Sequence, residues 1–383
     1  MPGHLVLVGG GHAHLTTLSN IRKFIARGHR VTVIGPSPYH YYSGMAPGMI
    51  SGLYRPQEIR FNIRKMVEDR GGEFVLDRAT GIQARSREVL LKSGSRISYD
   101  IVSFNIGSRV PRESIAADNG TVITAKPIEN LVRGRMAVLD SIKGVSPHNP
   151  ARLVVVGGGP AGVEISAALW KLAADAGGKT RVILIAGGSL LRNFPRKMHE
   201  LALNSLKNRG IKVIEGPRVQ STEGGVVSLS DGTALEADHI FLAVGVRATE
   251  IFMNTFVPTD EDGGLLVNPY LQSIEFPEIF GAGDCITFLG KDLAKVGVYA
   301  VRQNPVLYHN LLAGLERTSL RQFKPGNPDF LVLLNMGDGT GIFRRGEWVW
   351  QGRAAFRLKD FIDRRFMKKF QLSGEPNEPM GKV

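Results

Sequence analysis

The apolar positions of the chain form two segments that repeat one plan about 150 residues apart. The first reads HLVLVGGGHAHLTTLSNI and the second reads RLVVVGGGPAGVEISAAL. In each segment a short β-branched run precedes three glycines and a helical pattern, which is the opening of a β-α-β unit. A second apolar run follows each one, at residues 30–34 and 181–185. The pattern predicts two Rossmann-like units, each built on a parallel sheet.

Shorter apolar runs predict the rest of the fold. Further strands are expected at residues 101–105, 240–244, 279–281, 330–334, 340–343 and 348–351. Helices are expected at residues 297–311 and 356–370. The strands beyond residue 325 are close together and predict a small antiparallel sheet. The fold class is therefore α/β, with two Rossmann-like dinucleotide-binding domains and a small C-terminal α+β segment.

The composition is that of an ordinary globular chain with a high positive charge. Of the 383 residues, 43% are hydrophobic and 22% are charged, and the formal net charge is +13. A basic chain suits an anionic membrane surface or polyanionic cofactors, whereas basic residues spread along the chain without a recognised motif argue against nucleic acid. The single cysteine, Cys285, excludes a disulfide framework. Because we find no secretory signal and no run of the ~18 apolar residues that a membrane span needs, we expect a cytoplasmic protein.

The second glycine segment is the stronger cofactor signal. Gly157, Gly159 and Gly162 complete a G-x-G-x-x-G pattern directly after an apolar run at 153–156. Such glycines allow a tight turn, a close approach of pyrophosphate to the backbone, and close packing of helix against strand. The helix N-terminus then favours the anion. The flanking strand and helix disfavour the alternative, a glycine-rich turn without a ligand.

The first glycine segment departs from this pattern. Gly9 and Gly11 are in place, but His14 occupies the position of the third glycine, and His12 lies two residues before it. Histidines two apart on a helix point to different faces, and no third ligand is clustered near them, so a metal site is disfavoured. We therefore interpret His12 and His14 as part of a helix N-terminus beside a cofactor.

A third segment joins these two into a known arrangement. The segment from Gly281 through Gly283 to Asp284 follows a predicted strand, and connecting strands end in turns at Gly107 and Gly245. With these motifs in this order, the chain resembles the flavoproteins with two dinucleotide-binding domains that are related to glutathione reductase. The resemblance implies that the third segment closes an FAD site, with Asp284 hydrogen-bonded to the flavin side chain. It implies an FAD-binding domain at 1–115 and 255–325, an NAD(P)H-binding domain at 116–254, and a C-terminal segment at 326–383.

The absence of a cysteine pair limits the routes by which electrons can leave the flavin. Disulfide reductases of this family carry a CxxxxC pair against the flavin, and sulfide:quinone oxidoreductases also use paired cysteines, because thiol exchange needs two sulfurs. Here the corresponding segment, residues 39–47, contains no cysteine, and Cys285 stands alone beside Asp284. We interpret Cys285 as a packed side chain rather than as a redox group.

Among the branches of this family that lack the cysteine pair, the chain resembles the type II NADH dehydrogenases, which pass two electrons from flavin to a quinone. The resemblance rests on residues 159–164 and places Glu164 near the nicotinamide. An acid that stabilises the helix dipole is the alternative interpretation of Glu164. Residues 295–303 fall where that branch has a quinone-facing helix, which makes Lys295 and Gln303 candidate site residues.

One bacterial subgroup is similar over more of the chain. Residues 41–45, 298–303 and 359–367 look like reductases that occur alone or fused ahead of selenophosphate synthetase, and that are similar to demethylphylloquinone reductases. The resemblance implies an FAD-dependent NAD(P)H:quinone oxidoreductase, with quinone approaching along Tyr42 and Ser43. Reduction of a protein, reduction of a sulfur or selenium compound, and slow redox sensing stay open as alternatives, and so does a homodimer.

The choice between NADH and NADPH depends on a strand end. NAD-specific units end the second strand in an acid that binds the ribose 2′-hydroxyl. Here that strand ends in Ala186, and Ser189 and Arg192 follow it in the loop. No carboxylate repels a 2′-phosphate, so we expect NADPH to be used at least comparably to NADH. The first unit also lacks this acid, which leaves Ser37 or the backbone to bind the adenosine ribose of FAD.

The predicted C-terminal helix carries an apolar stripe. From Leu358, apolar residues recur at 361, 362, 366 and 370, and basic residues lie mostly off that stripe. A basic amphipathic helix of this kind lies in the headgroup plane of an anionic membrane. The alternative is that the stripe packs on the protein itself or on a second subunit. We expect docking on the cytoplasmic membrane face, because a quinone dissolved in lipid requires access from the membrane.

Overall fold

The structure, a computed structural model, describes residues 2–111, 121–143, 150–253 and 255–378, together with the backbone of 116–117. The predicted domain crossings after residues 115 and 254 fall at or beside residues outside this description, and so do residues 379–383 of the predicted C-terminal segment. Within the described residues the helices are α1 (Leu15–Ser19), α2 (Ile21–Ile25), α3 (Ala46–Ile50), α4 (Ile63–Glu68), α5 (Glu129–Lys143), α6 (Pro160–Asp175), α7 (Arg196–Lys207), α8 (Gly297–Glu316) and α9 (Arg353–Phe370).

Two five-stranded parallel sheets form the centre of the fold. The first contains, in spatial order, Ile279–Gly281, Ile101–Phe104, His4–Val8, Arg30–Gly35 and Glu73–Leu76. The second contains Val122–Thr124, His239–Leu242, Ala151–Val156, Thr180–Ala186 and Lys212–Glu215. In each sheet the strand that precedes the three glycines lies in the middle. The two predicted Rossmann-like units are confirmed.

The central strands are apolar because helices cover parallel sheets on both faces. Every residue of His4–Val8 is buried, and five of the six residues of Ala151–Val156 are buried. The helix α8 packs against the first sheet, and α6 packs against the second. Each glycine turn therefore opens at the carboxyl edge of its sheet, which is where ligands bind in this class of fold.

Two antiparallel insertions lead from an outer strand of each sheet back towards its centre. One contains Ala79–Gln83, Glu88–Leu91 and Arg96–Ser98, and the other contains Val219–Glu223, Val226–Leu229 and Ala234–Glu236. Short strand pairs join Tyr39–Tyr41 to Arg60–Asn62, Ser108–Arg109 to Arg247–Ala248, and Leu265–Val267 to Ile286–Phe288. These elements are not predictable from the sequence pattern, because such short and half-exposed strands give no sustained apolar period.

The C-terminal segment has the predicted elements. Val332–Asn335, Gly341–Arg345 and Trp348–Gly352 form an antiparallel sheet that leads directly into α9. This confirms the small sheet and the helix expected there. Among the described residues, no helix is both long and apolar enough to cross a membrane.

Candidate functional site

A cleft of about 620 Å³ opens beside the second glycine turn. Gly157 and Gly159 line this cleft together with Gly245, and α6 begins at its wall with Pro160. Gly162 is required by packing, because a Cβ there would lie 1.8 Å from the carbonyl oxygen of Gly157. The helix N-terminus and the exposed backbone make the cleft a candidate site for the nicotinamide dinucleotide.

Asn105, at the end of a neighbouring strand, closes the first glycine turn. Its Oδ1 accepts a hydrogen bond from the backbone N of Ala13 at 3.0 Å, and its Nδ2 donates to the carbonyl of Ala282 at 2.6 Å. A Cβ at Gly9 or Gly11 would lie within 2.5 Å of Asn105. Asn105 thus ties the first turn to the third motif. The sequence analysis missed this role, because an asparagine at a strand end carries no motif.

His14 takes the place of the third glycine and is held within the protein. Its Nδ1 lies 2.6 Å from the carbonyl oxygen of Gly9, and its Nε2 lies 2.8 Å from the hydroxyl of Ser103. Burial lowers the pKa of His14 to about 4, so the ring is neutral. Since a carbonyl only accepts, Nδ1 donates and Nε2 accepts from Ser103. His14 was expected in the cofactor site, but both of its nitrogens serve to hold the turn, which leaves only its carbon atoms for such a contact.

His12 has a buried nitrogen without a partner. Its Nδ1 lies 3.4 Å from Nε2 of His40, whereas its own Nε2 has no hydrogen-bond partner among the described residues. Burial and then the charge of Lys126 lower the pKa of His12 to about 4. An unsatisfied buried polar group is costly, so this nitrogen indicates a ligand atom beside the first glycine turn. This observation fits a dinucleotide cofactor there.

Asp284 lies in the third motif with one oxygen fixed. Its Oδ2 accepts hydrogen bonds from Nζ of Lys126 at 2.5 Å and from the hydroxyl of Ser108 at 2.8 Å. Its Oδ1 accepts none from any described residue. Oδ1 can therefore accept the predicted hydrogen bond from the flavin side chain. Lys126 follows a short strand, and the sequence analysis missed it because no motif marks it. Taken with the glycine cradle and His12, the residues present fit FAD.

The head groups of Lys295 and Gln303 hold the third motif in place. Oε1 of Gln303, on α8, accepts a hydrogen bond from the backbone N of Gly283 at 2.7 Å. Nζ of Lys295 donates to the carbonyls of Asp284 and Ile286 at 3.2 and 3.4 Å. Both residues line a second cavity of about 370 Å³. They were predicted to face the quinone, and the structure makes them positioning residues for the turn that carries Asp284.

Glu164 contacts the C-terminal sheet from α6. Its Oε1 accepts a hydrogen bond from the backbone N of Asn335 at 2.8 Å. Burial raises the pKa of Glu164 to about 7, although the nearby charge of Lys359 acts in the opposite direction. A carboxyl group with this pKa exchanges its proton at neutral pH, which suits a group that works in a redox site.

The helix α9 brings a buried ion pair to the same place. Nζ of Lys359 lies 2.8 Å from Oδ2 of Asp363 and donates to the carbonyl of Gly44 at 2.6 Å. The hydroxyl of Tyr42 donates to Oδ1 of Asp363 at 3.0 Å. Burial opposes the charge of Lys359, but the carboxylates of Glu164 and Asp363 outweigh it and raise its pKa. Burial and Asp363 raise the pKa of Tyr42, so both side chains keep their protons at neutral pH.

Aromatic contacts join this ion pair to the first glycine turn. The ring of Tyr42 lies 4.9 Å from that of Phe366 and 5.3 Å from that of His12, measured between centroids. Ser43 lies beside the start of α8, with its Oγ 3.8 Å from where a Cβ of Gly297 would be. The structure therefore brings Tyr42, Glu164 and the first glycine turn together.

The helix α9 divides the predicted apolar stripe between two faces. The buried face contains Ala355, Lys359, Asp363, Met367 and Phe370. Trp348, just before the helix, is 79% exposed, Phe361 is 61% exposed and Ile362 is 39% exposed. Lys359 and Asp363 lie off the predicted apolar stripe, yet they are buried and do not face solvent. Because residues four apart lie on one face, the buried side of the helix carries them into the site.

Cys285 and Ser37 are both occupied by local contacts. The sulfur of Cys285 is buried within 3.5 Å of the carbonyls of Phe104 and Ala282, and burial raises the pKa of this thiol to about 11. The hydroxyl of Ser37 accepts a hydrogen bond from the backbone N of Tyr39 at 3.1 Å. Over the described part of the chain, no group of three or more His, Cys, Asp or Glu residues is arranged to hold a metal ion.

Comparisons with known proteins identify the family of the chain. The profile of the pyridine nucleotide-disulphide oxidoreductase family matches residues 3–310. The oxidoreductase ptaL of Pestalotiopsis fici is 25% identical over 99% of both chains. The type II NADH:quinone oxidoreductase of Staphylococcus epidermidis is 24% identical over 95% of both. The structure of NDH2 from Plasmodium falciparum in complex with NADH superposes with a TM-score of 0.80 at 15% identity, over 100% of both chains. The chain belongs to the pyridine nucleotide-disulphide oxidoreductase family.

Proposed function

We propose that this NADH dehydrogenase-like flavoprotein passes the two electrons that it takes from NAD(P)H to a quinone. FAD, when bound, supplies the two-electron redox chemistry, and the protein supplies binding, orientation and proton-holding groups. The proposal is supported by similarity to proteins named type II NADH:quinone oxidoreductases. Its main support within the chain is the cluster that the buried Lys359 and Asp363 form with the half-buried Glu164 and Tyr42.

The cluster suits an acceptor that takes up protons as well as electrons. Conversion of a quinone to a quinol consumes two electrons and two protons. Lys359 and Tyr42 hold protons at neutral pH, and the pKa of Glu164 is raised to about 7 by its burial. Asp363 hydrogen-bonds to both Lys359 and Tyr42, which fixes their positions beside the first glycine turn. Glu164, with a pKa near neutrality, is the kind of group that general acid catalysis requires, whereas the raised pKa values of Lys359 and Tyr42 suit hydrogen-bond donors.

The burial and raised pKa of the Cys285 thiol disfavour electron transfer through a thiol. A buried thiol with a pKa of about 11 is neither a nucleophile nor a ready partner for exchange at neutral pH. The electrons would therefore pass from the cofactor to the acceptor directly. This supports a quinone over acceptors that need a cysteine pair in the enzyme.

We also propose that the protein docks on an anionic membrane surface through a docking face. This face consists of Trp348, Phe361 and Ile362 with four of the exposed basic residues of α9, namely Arg357, Arg365, Lys368 and Lys369. Most of it lies across α9 from Lys359 and Asp363. A helix is about 10 Å across, so docking would bring the cluster to about that distance from lipid. A quinone dissolved in the bilayer would then have a short path to the site.

The function is tested by steady-state oxidation of NADH and NADPH by the FAD-loaded protein with soluble quinones. We expect turnover on the order of 1–10³ s⁻¹ with a quinone, which is the usual range for enzymes. Lys359→Gln should lower this turnover while leaving the anaerobic reduction of bound FAD by NAD(P)H intact. Lys368→Gln, an outward lysine of the same helix, is the matched control. Oxidation no faster with quinones than with oxygen alone, together with fast turnover on a polysulfide or selenite, would overturn the proposal.

A further inference from the structure

We infer that the cleft beside the second glycine turn is built to bind the 2′-phosphate of NADPH, with Arg192 and Arg218 as specificity-determining residues. This inference deepens the proposed function on the donor side and rests on it only for the use of NAD(P)H. It does not depend on the identity of the electron acceptor.

The wall of the cleft carries no carboxylate. None of the described residues that line it is Asp or Glu. Glu215 lies opposite Ala186 on the neighbouring strand, but it is not part of this wall. Its Oε1 instead accepts a hydrogen bond from the backbone N of Leu190 at 2.6 Å and lies 3.0 Å from Nε2 of His199. Glu215 therefore fixes the loop, and no described residue of the wall is an acid that would repel a phosphate.

Arg218 reaches the cleft from a fixed backbone. Its backbone N donates to the hydroxyl of Ser230 at 3.0 Å, and its carbonyl accepts from the backbone N of the same serine at 2.8 Å. Its stem lies over Gly187, where a Cβ would be 3.1 Å from Cγ of Arg218. Gly216, two residues earlier, donates its N–H to the carbonyls of Ala186 and Gly188 at 3.1 and 3.0 Å. The segment that carries Arg218 is thus joined to the strand end that an acid occupies in NAD-specific units.

Arg192 lies in a loop that is fixed on both sides. The backbone N of Leu191 donates to the carbonyl of Gly158 at 2.7 Å, and that of Phe194 donates to the carbonyl of Leu191 at 2.8 Å. Ser189 precedes this loop and also lines the cleft. Two arginines and a serine therefore line the cleft, and their side chains are the donor types that suit a phosphate dianion.

Neither guanidinium is used elsewhere in the described structure. Arg192 and Arg218 make no side-chain hydrogen bond or ion pair with any described residue. Other arginines close in sequence do, since Arg196 pairs with Glu200 and Arg209 pairs with Asp338. Two unpaired arginines at one cleft are available for an anionic ligand. The pyrophosphate, which NADH and NADPH share, belongs at the glycine turn and the N-terminus of α6, so the anionic group left for these arginines is the 2′-phosphate that only NADPH carries.

The test uses 2′,5′-ADP and 5′-AMP, which differ only by the phosphate in question. Their dissociation constants are measured by calorimetry on the FAD-loaded protein. A charge-assisted hydrogen bond predicts that 2′,5′-ADP binds at least about tenfold more tightly than 5′-AMP. Arg192→Ala and Arg218→Ala should each remove most of this difference and leave the affinity for 5′-AMP within about twofold of its original value. Arg181→Ala, at the other end of the strand Thr180–Ala186, is the matched control.

Kinetics provide a second readout with the same variants. The KM for NADPH in the anaerobic reduction of bound FAD should rise about tenfold in Arg218→Ala, while the KM for NADH stays unchanged. Equal affinity of the original protein for 2′,5′-ADP and 5′-AMP would overturn the inference. An equal loss of both ligands in the arginine variants would overturn it too. Because neither readout uses an electron acceptor, a failure here is distinguishable from a failure of the quinone proposal.

Discussion

The sulfur of Cys285 lies against two backbone carbonyls in the core, next to Asp284. Burial raises the pKa of this thiol to about 11, so the reactive thiolate is scarce at neutral pH. We expect Cys285→Ser to retain bound FAD and most of the NAD(P)H-to-quinone turnover, measured by absorbance and steady-state assay. A variant that keeps its FAD but loses turnover would show that the sulfur takes part in the electron path.

Replacing Asp284 should weaken the binding of FAD. With Oδ2 held by Lys126 and Ser108, the carboxylate is fixed for a charge-assisted hydrogen bond. Removing such a bond costs ~1.5–3 kcal/mol, so Asp284→Ala should raise the dissociation constant of FAD by roughly one to two orders of magnitude. Flavin fluorescence during dilution measures this constant. Asp262→Ala, an acid at the wall of the same cavity, is the control and should retain FAD.

Glu164 gives the site a pH dependence with a defined sign. Its burial raises the pKa to about 7, so the group is neutral below that pH and a carboxylate above it. A carboxylate stabilises the positive charge that the nicotinamide gains when hydride leaves. The rate of anaerobic FAD reduction by NAD(P)H should therefore rise as the pH passes through about 7. In Glu164→Gln this step should vanish, and its persistence would assign the titration to another group.

At the level of elements, the sequence predicts those features that are determined by residues close together along the chain. The glycine turns at Gly9 and Gly157, and the strands before them, follow from local apolar runs and from turn chemistry. The side chains that complete the site do not, because their partners are distant in sequence. Asn105 bonds to Ala282, and Lys359 bonds to the carbonyl of Gly44. The sequence shows the helical period of α9. Packing alone decides which face of this helix contacts the rest of the protein.

The strand Thr180–Ala186 ends at the position where we expect the choice between NADH and NADPH to be made, and a single substitution tests this element. Ala186 is buried at the carboxyl end of the strand and lines the cleft. A carboxylate at this position would accept the ribose 2′-hydroxyl of NADH and repel a 2′-phosphate. We expect Ala186→Glu to shift the ratio of kcat/KM for NADPH over NADH towards NADH by about tenfold or more. A melting curve of the variant shows whether the fold is retained, and an unchanged ratio in a folded variant would contradict the prediction.

For the molecule as a whole, the position of α9 connects two properties that the sequence presented separately. Its buried face packs Lys359 and Asp363 against the candidate site, and its outward face carries aromatic, aliphatic and basic side chains. The net charge of +13 adds a general attraction to anionic surfaces. A truncation that removes α9 would therefore disturb the site and the surface together. The two roles have to be separated by substitutions on the outward face alone.

Replacing Trp348, Phe361 and Ile362 together by alanine is such a change. Each large apolar side chain that enters the membrane contributes about 1.5–3 kcal/mol when fully buried. Basic residues near anionic lipid add ~1 kcal/mol each. We expect the intact protein to co-sediment with vesicles that contain phosphatidylglycerol, and the triple variant to do so at least about tenfold more weakly. Phe256→Ala removes an exposed aromatic ring far along the sequence from the docking face and serves as the control. The triple variant should keep its turnover with a water-soluble quinone, because Lys359, Asp363 and Tyr42 stay in place. Equal sedimentation of all three proteins would show that the docking face does not bind lipid.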